Sequence, residues 1–290
     1  MAAHLFAAID VGSFELEMGI YETTSRNELR EIDHLRHVIS LGRDTYHTGK
    51  ISYHLVDEMC QVLEEFAQVM KTYQVEDYRA YATSAMREAK NSQIILEQIR
   101  VRTGIQVQVI SNSEQRFLGY KAIAMKETEF QKIIQKGTAI ADVSFGSLQI
   151  SLFDKDSLVS TQNIQQGILR LRETLAGVWS DRQTVRGIFE DMVDNELYAF
   201  KKMYLKDRDI KNLIGIGESI LYLARDEVAG KRVDRISAAD FQKFYEKLIQ
   251  MPVDQIEERF GVNQEYAHLL IPSAIIYKQI LEMTGAEMLW

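Results

Sequence analysis

The sequence predicts an α/β protein of two similar domains, because one strand-and-turn pattern occurs twice, about half a chain apart. Apolar residues 7–9 end in Asp10 and a turn of small residues, and residues 139–141 end in Asp142 in the same way. After each turn the chain returns to a strand-like pattern. A repeat of this length favours two related domains, and we expect a ligand cleft between them.

Composition narrows the class of protein. The chain has 290 residues and 46% hydrophobic residues, enough for two cores. Its net charge of -8 argues against nucleic-acid binding, and no apolar run approaches the ~20 residues of a membrane span. The single cysteine, Cys60, excludes an internal disulfide, and the first residues lack a signal-peptide pattern, so we expect a cytoplasmic protein. A homodimer is left open.

Hydrophobic periodicity predicts the elements of the first half. Alternating apolar residues predict strands, three- and four-residue spacing predicts helices, and turn-forming residues predict a loop at 42–50. Met59 and Met70 of the long helix are predicted core residues. The predicted order is strands at 5–10, 16–22 and within 31–41, the loop, a helix over 55–70, a strand at 78–83, a helix over 92–102, a strand at 105–111 and a helix over 114–126.

The second half repeats this order after a polar stretch at 127–137. We therefore predict domains at residues 1–126 and 127–290. Pro272 is predicted to break the last helix, because proline removes a helical hydrogen bond. The predicted elements are strands at 138–143, 148–154 and 158–164, helices over 169–176 and 182–202, a strand at 212–216, and helices over 238–250 and 263–283.

Small residues follow the first strand of each half and form a candidate ligand loop. They let backbone N–H groups approach a phosphate, and the aspartate before them can hold a cation or a water molecule. The alternative is a tight hairpin between core strands, without a ligand. The residues concerned are Asp10, Gly12 and Ser13 in the first half and Asp142, Gly146 and Ser147 in the second.

Three more segments place polar or small residues where a strand meets a helix. Ser84 is a predicted helix cap, and Arg87 follows where a bidentate contact with a phosphate or carboxylate is feasible. Glu114 lies in a first helical turn, where it either activates water or only favours the helix dipole. Gly215 and Gly217 form a turn that is a further candidate phosphate contact. The alternatives are ordinary caps and an exposed ion pair.

Taken in order, these segments resemble the exopolyphosphatase/guanosine pentaphosphate phosphohydrolase (Ppx/GppA) family over nearly the whole chain. The most specific block is 83–91, Thr-Ser-Ala-Met-Arg-Glu-Ala-Lys-Asn. The resemblance implies two actin-like domains of the sugar kinase, Hsp70 and actin superfamily, ribonuclease H-like in topology. It also implies removal of phosphate from polyphosphate or guanosine pentaphosphate with Mg²⁺, for which Asp10 and Asp142 are the expected metal ligands.

The ligand loops depart from the pattern of the family. Phe14 and Glu15 stand where the first loop of the family has Asn-Ser, and Phe145 replaces a glycine of the second loop. Glu15 adds negative charge near the expected phosphate. A bulky ring at position 145 is expected to narrow or fill the phosphate subsite, because a glycine nest would otherwise receive phosphate oxygens there.

The expected catalytic carboxylates also differ. Gln149 occupies a position where the family has glutamate. An ungapped comparison places Gln115 at the catalytic glutamate position, whereas a one-residue gap places Glu114 there. Glutamine has nearly the shape of glutamate but cannot act as a base, and loss of a general base costs about 10²–10⁴ in rate.

These departures leave three functions open. The sequence favours a protein with a phosphate- or nucleotide-type cleft and impaired catalysis, whose partner is a phosphorylated small molecule or polyphosphate. The second is an active, Mg²⁺-dependent exopolyphosphatase or guanosine pentaphosphate phosphohydrolase that uses Glu114 as the base. The third is a structural or interaction module in which the cleft no longer has a role.

Overall fold

The computed structural model of the protein describes residues 4–23, 29–126, 130–174, 182–206, 208–226 and 231–290. The chain divides into two compact units, Met1–Gln115 and Arg116–Trp290. This division falls within a helix, Asn112–Lys126, whereas the sequence places the boundary at the end of that helix. Within the described residues, no helix is both long enough and apolar enough to cross a membrane.

The first unit is a five-stranded sheet with helices packed on it. Its elements are β1 (His4–Val11), β2 (Glu15–Thr23), β3 (Leu29–Val38), α1 (Leu41–Thr48), α2 (Tyr53–Thr72), β4 (Asp77–Ala82), α3 (Ser84–Glu88), α4 (Ser92–Thr103), β5 (Gln108–Val109) and the start of α5 (Asn112–Lys126). The strand order is β3-β2-β1-β4-β5, with β1 antiparallel to β2 and parallel to β4. The apolar faces of α2 and α4 share one core with the sheet, and Met59 and Met70 lie in it as predicted.

The second unit has a six-stranded sheet. Its elements, after the rest of α5, are α6 (Phe130–Ile133), β6 (Thr138–Val143), β7 (Leu148–Asp154), β8 (Ser157–Ile164), α7 (Ile168–Thr174), α8 (Arg182–Phe200), a π-helical turn (Lys201–Leu205), β9 (Asn212–Ile216), α9 (Glu218–Leu223), β10 (Arg225–Asp226), β11 (Lys231–Arg232), β12 (Ile236–Ser237), α10 (Ala238–Leu248), α11 (Val253–Phe260), α12 (Gln264–Thr284) and β13 (Met288–Leu289). The strand order is β12-β13-β9-β6-β7-β8.

The two sheets have the same topology, which confirms the predicted fold class. In each, a three-stranded antiparallel meander begins with the central strand, and two further strands add in parallel to its other side. The second sheet differs by the short strand β12 at its edge. Because the carboxyl ends of parallel strands share one edge, each sheet brings the end of its central strand beside the next parallel strand.

The predicted loop at 42–50 is wrong, because α1 occupies most of it. Leu41 and Thr45 are buried on one face of this helix, so packing outweighs the turn-forming composition. The glycine signal marks the end of the helix instead: Gly49 adopts φ 72° at the C-cap, and its N–H donates to the carbonyl of Thr45.

The predicted break at Pro272 is also wrong. The helix α12 runs without interruption from Gln264 to Thr284, with Pro272 inside it. Most of this helix is buried, including Leu269, Ile276 and Ile280. The apolar burial of the helix therefore outweighs the hydrogen bond that proline cannot donate.

Candidate functional site

The end of β1 carries a pair of facing carboxylates. Asp10 lies directly opposite Glu17 in the antiparallel β1–β2 pair, so both side chains leave the same face of the sheet. Desolvation by the surrounding protein raises the pKa of Asp10 from 3.8 to about 7, and the negative charge of Glu17 contributes to a smaller extent. Part of the Asp10 residue is nevertheless exposed to solvent. A cation counters this charge, since Nε of Arg36 lies 2.8 Å from Oε1 of Glu17.

Glu15 adds a third acid to this hairpin. Its side chain is only 5% exposed. Burial, together with the charges of Glu17 and Asp10, raises the pKa of Glu15 from 4.5 to about 8, although Arg36 lowers it. Three acidic side chains with one arginine make this end of the sheet unfavourable for a bare phosphate and favourable for a hard cation with oxygen ligands.

The predicted phosphate-binding hydroxyls of the first unit lie in one internal hydrogen-bond network. The phenol of Tyr46 donates to Ser13 Oγ at 2.8 Å, and the same phenol lies 3.1 Å from Ser84 Oγ. Ser13 Oγ also accepts the backbone N–H of Ala85 at 3.1 Å, and Ser84 Oγ donates to Glu88 at 3.1 Å. Both serines are nearly fully buried, and their hydroxyl groups are joined through the hydroxyl of Tyr46.

Gly12 and Arg87 are also bound within the first unit. The N–H of Gly12 donates to the carbonyl of Glu15 at 2.9 Å, which closes the β1–β2 turn. One guanidinium nitrogen of Arg87 donates to the carbonyl of Ile110 at 2.6 Å, and another donates to Oδ1 of Asn112. Burial lowers the pKa of Arg87 from its usual value. The arginine therefore joins α3 to the start of α5.

Glu114 forms a capping box at the start of α5. Its carboxylate accepts the backbone N–H of Ser111 at 2.7 Å, and Ser111 Oγ accepts the N–H of Glu114 at 3.2 Å. The residue is exposed, and these hydrogen bonds lower the pKa of its carboxyl group. The neighbouring side chain of Gln115 has a buried Oε1 without a hydrogen-bond partner among the described residues.

The end of β6 in the second unit repeats the geometry with one charge fewer. Asp142 lies directly opposite Gln149 in the β6–β7 pair. Burial raises the pKa of Asp142 from 3.8 to about 6, and a hydrogen bond of 2.8 Å from the hydroxyl of Ser144 works in the other direction. Gln149 is 2% exposed, and within the described residues its amide nitrogen and oxygen have no hydrogen-bond partner.

A small cavity explains what the amide of Gln149 faces. Its volume is about 10 Å³, and its lining includes Asp142, Gln149, Ser151, Arg116 and Tyr120. This is about the space of one water molecule, and the lining offers more than the two polar partners that a buried water needs. The cavity therefore suits a single water between the amide and the neighbouring polar groups.

Helix α5 closes this cavity through hydroxyl contacts that the sequence did not predict. Tyr120 donates to Ser151 Oγ, which lies 2.9 Å from Thr161 Oγ1. Arg116 donates to the same Thr161 oxygen at 3.0 Å. Contacts among three elements of one unit, α5, β7 and β8, thus fix the side of β7 that carries Gln149. In the sequence, only the alternation of polar and apolar residues in β7 and β8 indicated them.

The second loop is held by close backbone packing. The N–H of Ser144 donates to the carbonyl of Ser147 at 3.0 Å, and Gly146 and Ser147 are buried in this turn. A Cβ on Gly167 would lie 2.3 Å from the carbonyl oxygen of Phe145, so only glycine fits there. The ring of Phe145 packs edge-on against Tyr266 at 6.5 Å, which places it among aromatic side chains of the same unit.

The turn before α9 is fixed by close backbone contacts. Gly217 adopts φ 116°, and a Cβ there would lie 2.7 Å from the carbonyl oxygen of Val143. Gly215 lies against the ring of Tyr277, whose hydroxyl donates to the carbonyl of Ile216 at 2.9 Å. The two predicted glycines therefore bring this turn against the end of β6, close in the fold to Asp142.

The β1–β2 and β6–β7 hairpins occupy equivalent places in their sheets, but they differ in the negative charge that they offer to a metal ion. Asp10 and Glu17 are seven residues apart and face each other, as do Asp142 and Gln149. The first pair offers two carboxylates and suits Mg²⁺, whose ligands are hard oxygens. The second offers one carboxylate and one neutral amide oxygen, so it fits a cation less well.

This arrangement defines a class of protein: two ribonuclease H-like units, each with an aspartate at the end of the central strand and a tight loop beside it. The sequence model of the Ppx/GppA phosphatase family matches residues 20–289 of this chain. The chain therefore belongs to this family.

Individual relatives agree with the family assignment. Exopolyphosphatase 1 of Mycobacterium tuberculosis is 23% identical over 287 residues, which cover 96% of this chain and 82% of that protein. An exopolyphosphatase from Cytophaga hutchinsonii has a similar structure, with a TM-score of 0.84, 18% identity, and coverage of 99% of this chain and 93% of the other. A Ppx/GppA family member from Aquifex aeolicus gives a TM-score of 0.77 at 23% identity, with 99% and 93% covered. At these identities the structural likeness shows the fold.

Several residues of the site were missed in the sequence. Glu17 lies opposite Asp10, and the hydroxyl of Tyr46 contacts Ser13 and Ser84, but neither residue was singled out. Tyr120, which lines the cavity at Gln149, was not singled out either. For Glu17 a signal existed, because it is placed relative to Asp10 as Gln149 is relative to Asp142. For Tyr46 there was none, since its segment was predicted to be a loop.

The contact at Gly167 gives a stability prediction. Gly167→Ala forces a methyl group into the backbone of Phe145 and Gly146, so we expect a loss of more than about 2 kcal/mol in the free energy of unfolding. Gly187→Ala is the matched control, because a Cβ there meets no atom within 4 Å and alanine is the better helix former by about 1 kcal/mol. Urea denaturation measures both, and equal stability of the two variants would contradict the packing.

The buried acid Glu15 gives a pH prediction. Its carboxyl group binds a proton more tightly in the folded state than in the unfolded state, so its contribution to stability falls as pH rises from about 4.5 to about 8. Glu15→Gln removes this loss. Between pH 5 and pH 8, we expect the free energy of unfolding of the variant to rise by more than about 1 kcal/mol relative to that of the wild type. The exposed Glu65→Gln is the control, and a Glu15→Gln difference that does not change with pH would refute the burial argument.

Proposed function

We propose that the protein binds a phosphorylated small molecule or polyphosphate through its aspartate loops and hydrolyses it poorly or not at all. The observation that carries this proposal is Gln149, a neutral amide buried opposite Asp142 where the family pattern has a glutamate. An amide neither accepts a proton from water at neutral pH nor supplies charge to a cation.

The missing charge matters for the chemistry of phosphoryl transfer. This reaction depends on positioning and on neutralising the charge of the transferred group, with little covalent chemistry by the protein. Loss of a general base typically lowers the rate by about 10²–10⁴. A weaker metal site at Asp142 would add to that loss, because the cation is the largest local charge in such a site.

The contacts of Glu114 support impaired catalysis over the alternative of an active hydrolase. A general base needs a pKa near the working pH, whereas the capping box lowers the pKa of this carboxyl group. The carboxylate is also engaged with the backbone of Ser111. To act on water it would leave the cap, which costs about 1 kcal/mol.

The binding role rests on the aspartates. Asp10, with Glu17 beside it, would hold Mg²⁺, and Asp142 would supply the single charge of the second loop. When bound, the cation would neutralise phosphate oxygens that the carboxylates alone repel. The chain's own contribution is to hold the two hairpin turns rigid, through the N–H of Gly12 in one and the N–H of Ser144 in the other.

Phosphate release tests the proposal. With Mg²⁺, we expect the wild type and Glu114→Gln to release no phosphate above background from long-chain polyphosphate or guanosine pentaphosphate. Malachite green detection measures both, with an active exopolyphosphatase as the positive control. Clear turnover that Glu114→Gln abolishes would establish a hydrolase with a shifted base and overturn the proposal.

A second test restores the glutamate of the family pattern at position 149. Gln149→Glu places a second carboxylate opposite Asp142, so we expect its melting temperature to fall without metal and to recover as Mg²⁺ is added. The wild type should show a smaller Mg²⁺ response. If the variant melts at the same temperature with and without Mg²⁺, position 149 is not beside a cation site, and the charge argument fails.

A further inference from the structure

An apolar cavity lies in the second unit, and none of its lining residues belongs to the β6–β7 hairpin. Its volume is about 120 Å³. It is bounded by α9, α10, α11, the segment 233–236 and the end of the chain at Leu289 and Trp290. None of the residues that line it takes part in the phosphate chemistry proposed above.

The walls are largely aromatic. Phe241 and Phe260 are almost fully buried, and the half-buried ring of Phe244 packs on both, at centroid distances of 5.8 and 6.2 Å. Leu223 and Trp290 complete the apolar surface. Aromatic rings with fixed mutual packing form a pre-shaped cavity, which lowers the cost of ordering the site when a ligand enters.

The charged residues at the cavity are mostly cationic. Two arginines and one aspartate contribute to the lining: Arg235, Arg259 and Asp234. The guanidinium of Arg235 lies 5.3 Å above the ring of Trp290, and that of Arg259 lies 5.9 Å from the ring of Phe260. Both cations are thus held against aromatic walls of the cavity, where a guanidinium can form a bidentate contact with a carboxylate.

We propose that this cavity is a binding site for a small organic monoanion with an aromatic body and one carboxylate. The volume fits a single ring, since engineered apolar cavities of about 150 Å³ bind benzene. The two arginines at the cavity favour an anionic group over a cationic one. Together these features select a benzoate-like ligand, with its ring among the phenylalanines and its carboxylate beside the arginines.

The cavity shares one residue with the packing of the candidate functional site. Ile220 lines the cavity, and its Cγ1 lies 3.0 Å from the position of a Cβ on Gly215. The methyl groups of Ile220 therefore serve as a probe of occupancy from the wall of the cavity. Ile236, on the opposite segment, is a second probe.

Benzoate is the probe ligand, and the experiment is a titration followed by isoleucine-methyl NMR on the full chain. We expect saturable shifts of Ile220 and Ile236 with a millimolar dissociation constant, as suits a ligand of this size. Benzylamine, with the same ring and the opposite charge, should bind at least tenfold more weakly. Equal binding of the two would overturn the anion preference, and unchanged spectra with benzoate would overturn the site.

Two variants test separately the space for the ring of the ligand and the contact with its carboxylate. Ala224→Leu adds bulk to the cavity wall and should abolish the benzoate shifts. Arg259→Gln should weaken benzoate binding about tenfold while benzylamine binding does not fall, a pattern that general destabilisation does not produce. Unaltered benzoate affinity in both variants would place the ligand elsewhere and refute the proposal. Melting temperatures confirm that each variant is folded.

Discussion

The chemistry of both units depends on one constraint, the pairing of the residue that ends the central strand with a residue of the returning strand. In an antiparallel pair, directly opposite residues share a face, so the register decides which groups meet. Here it pairs Asp10 with Glu17 and Asp142 with Gln149. The surrounding protein raises the pKa of both aspartates, and what distinguishes the hairpins is the charge of the partner.

Hydrogen bonds and close packing within each unit hold these pairs in place. The hydroxyls of Ser13 and Ser84 meet at Tyr46, and Arg87 binds the carbonyl of Ile110. In the second unit, Gly167 lies against the backbone of the loop itself. Such contacts make the loops rigid, and rigid loops keep carboxylates close together against their mutual repulsion.

Much of the fold could be predicted because it follows from local periodicity. The strands β6, β7 and β9 begin and end where the alternation of apolar residues placed them, and the repeated strand-and-turn pattern predicted two related sheets. The errors arose where packing outweighs local preference, as in α1, and at Pro272 within a buried helix.

The sequence proposes the site as a set of positions, but it could not predict the contacts of those residues. The sequence named Asp10, Asp142 and Gln149, because strand ends and family motifs locate them. It did not show that Glu17 faces Asp10, since register across a hairpin depends on the turn. Nor did it choose between a general base and a helix-stabilising acid for Glu114, because both roles are compatible with an acid in the first helical turn.

Gln149 also has a consequence for stability that is separate from catalysis. A glutamate in its place would be buried opposite Asp142, and two facing carboxylates are stable there only when one is protonated or a cation lies between them. The amide keeps the shape of the side chain and removes the repulsion, while its polar atoms can bond to a water in the adjoining cavity. The amide therefore removes from the second unit a repulsion that the first unit retains, where the charges of Glu17 and Asp10 contribute to the raised pKa of Glu15.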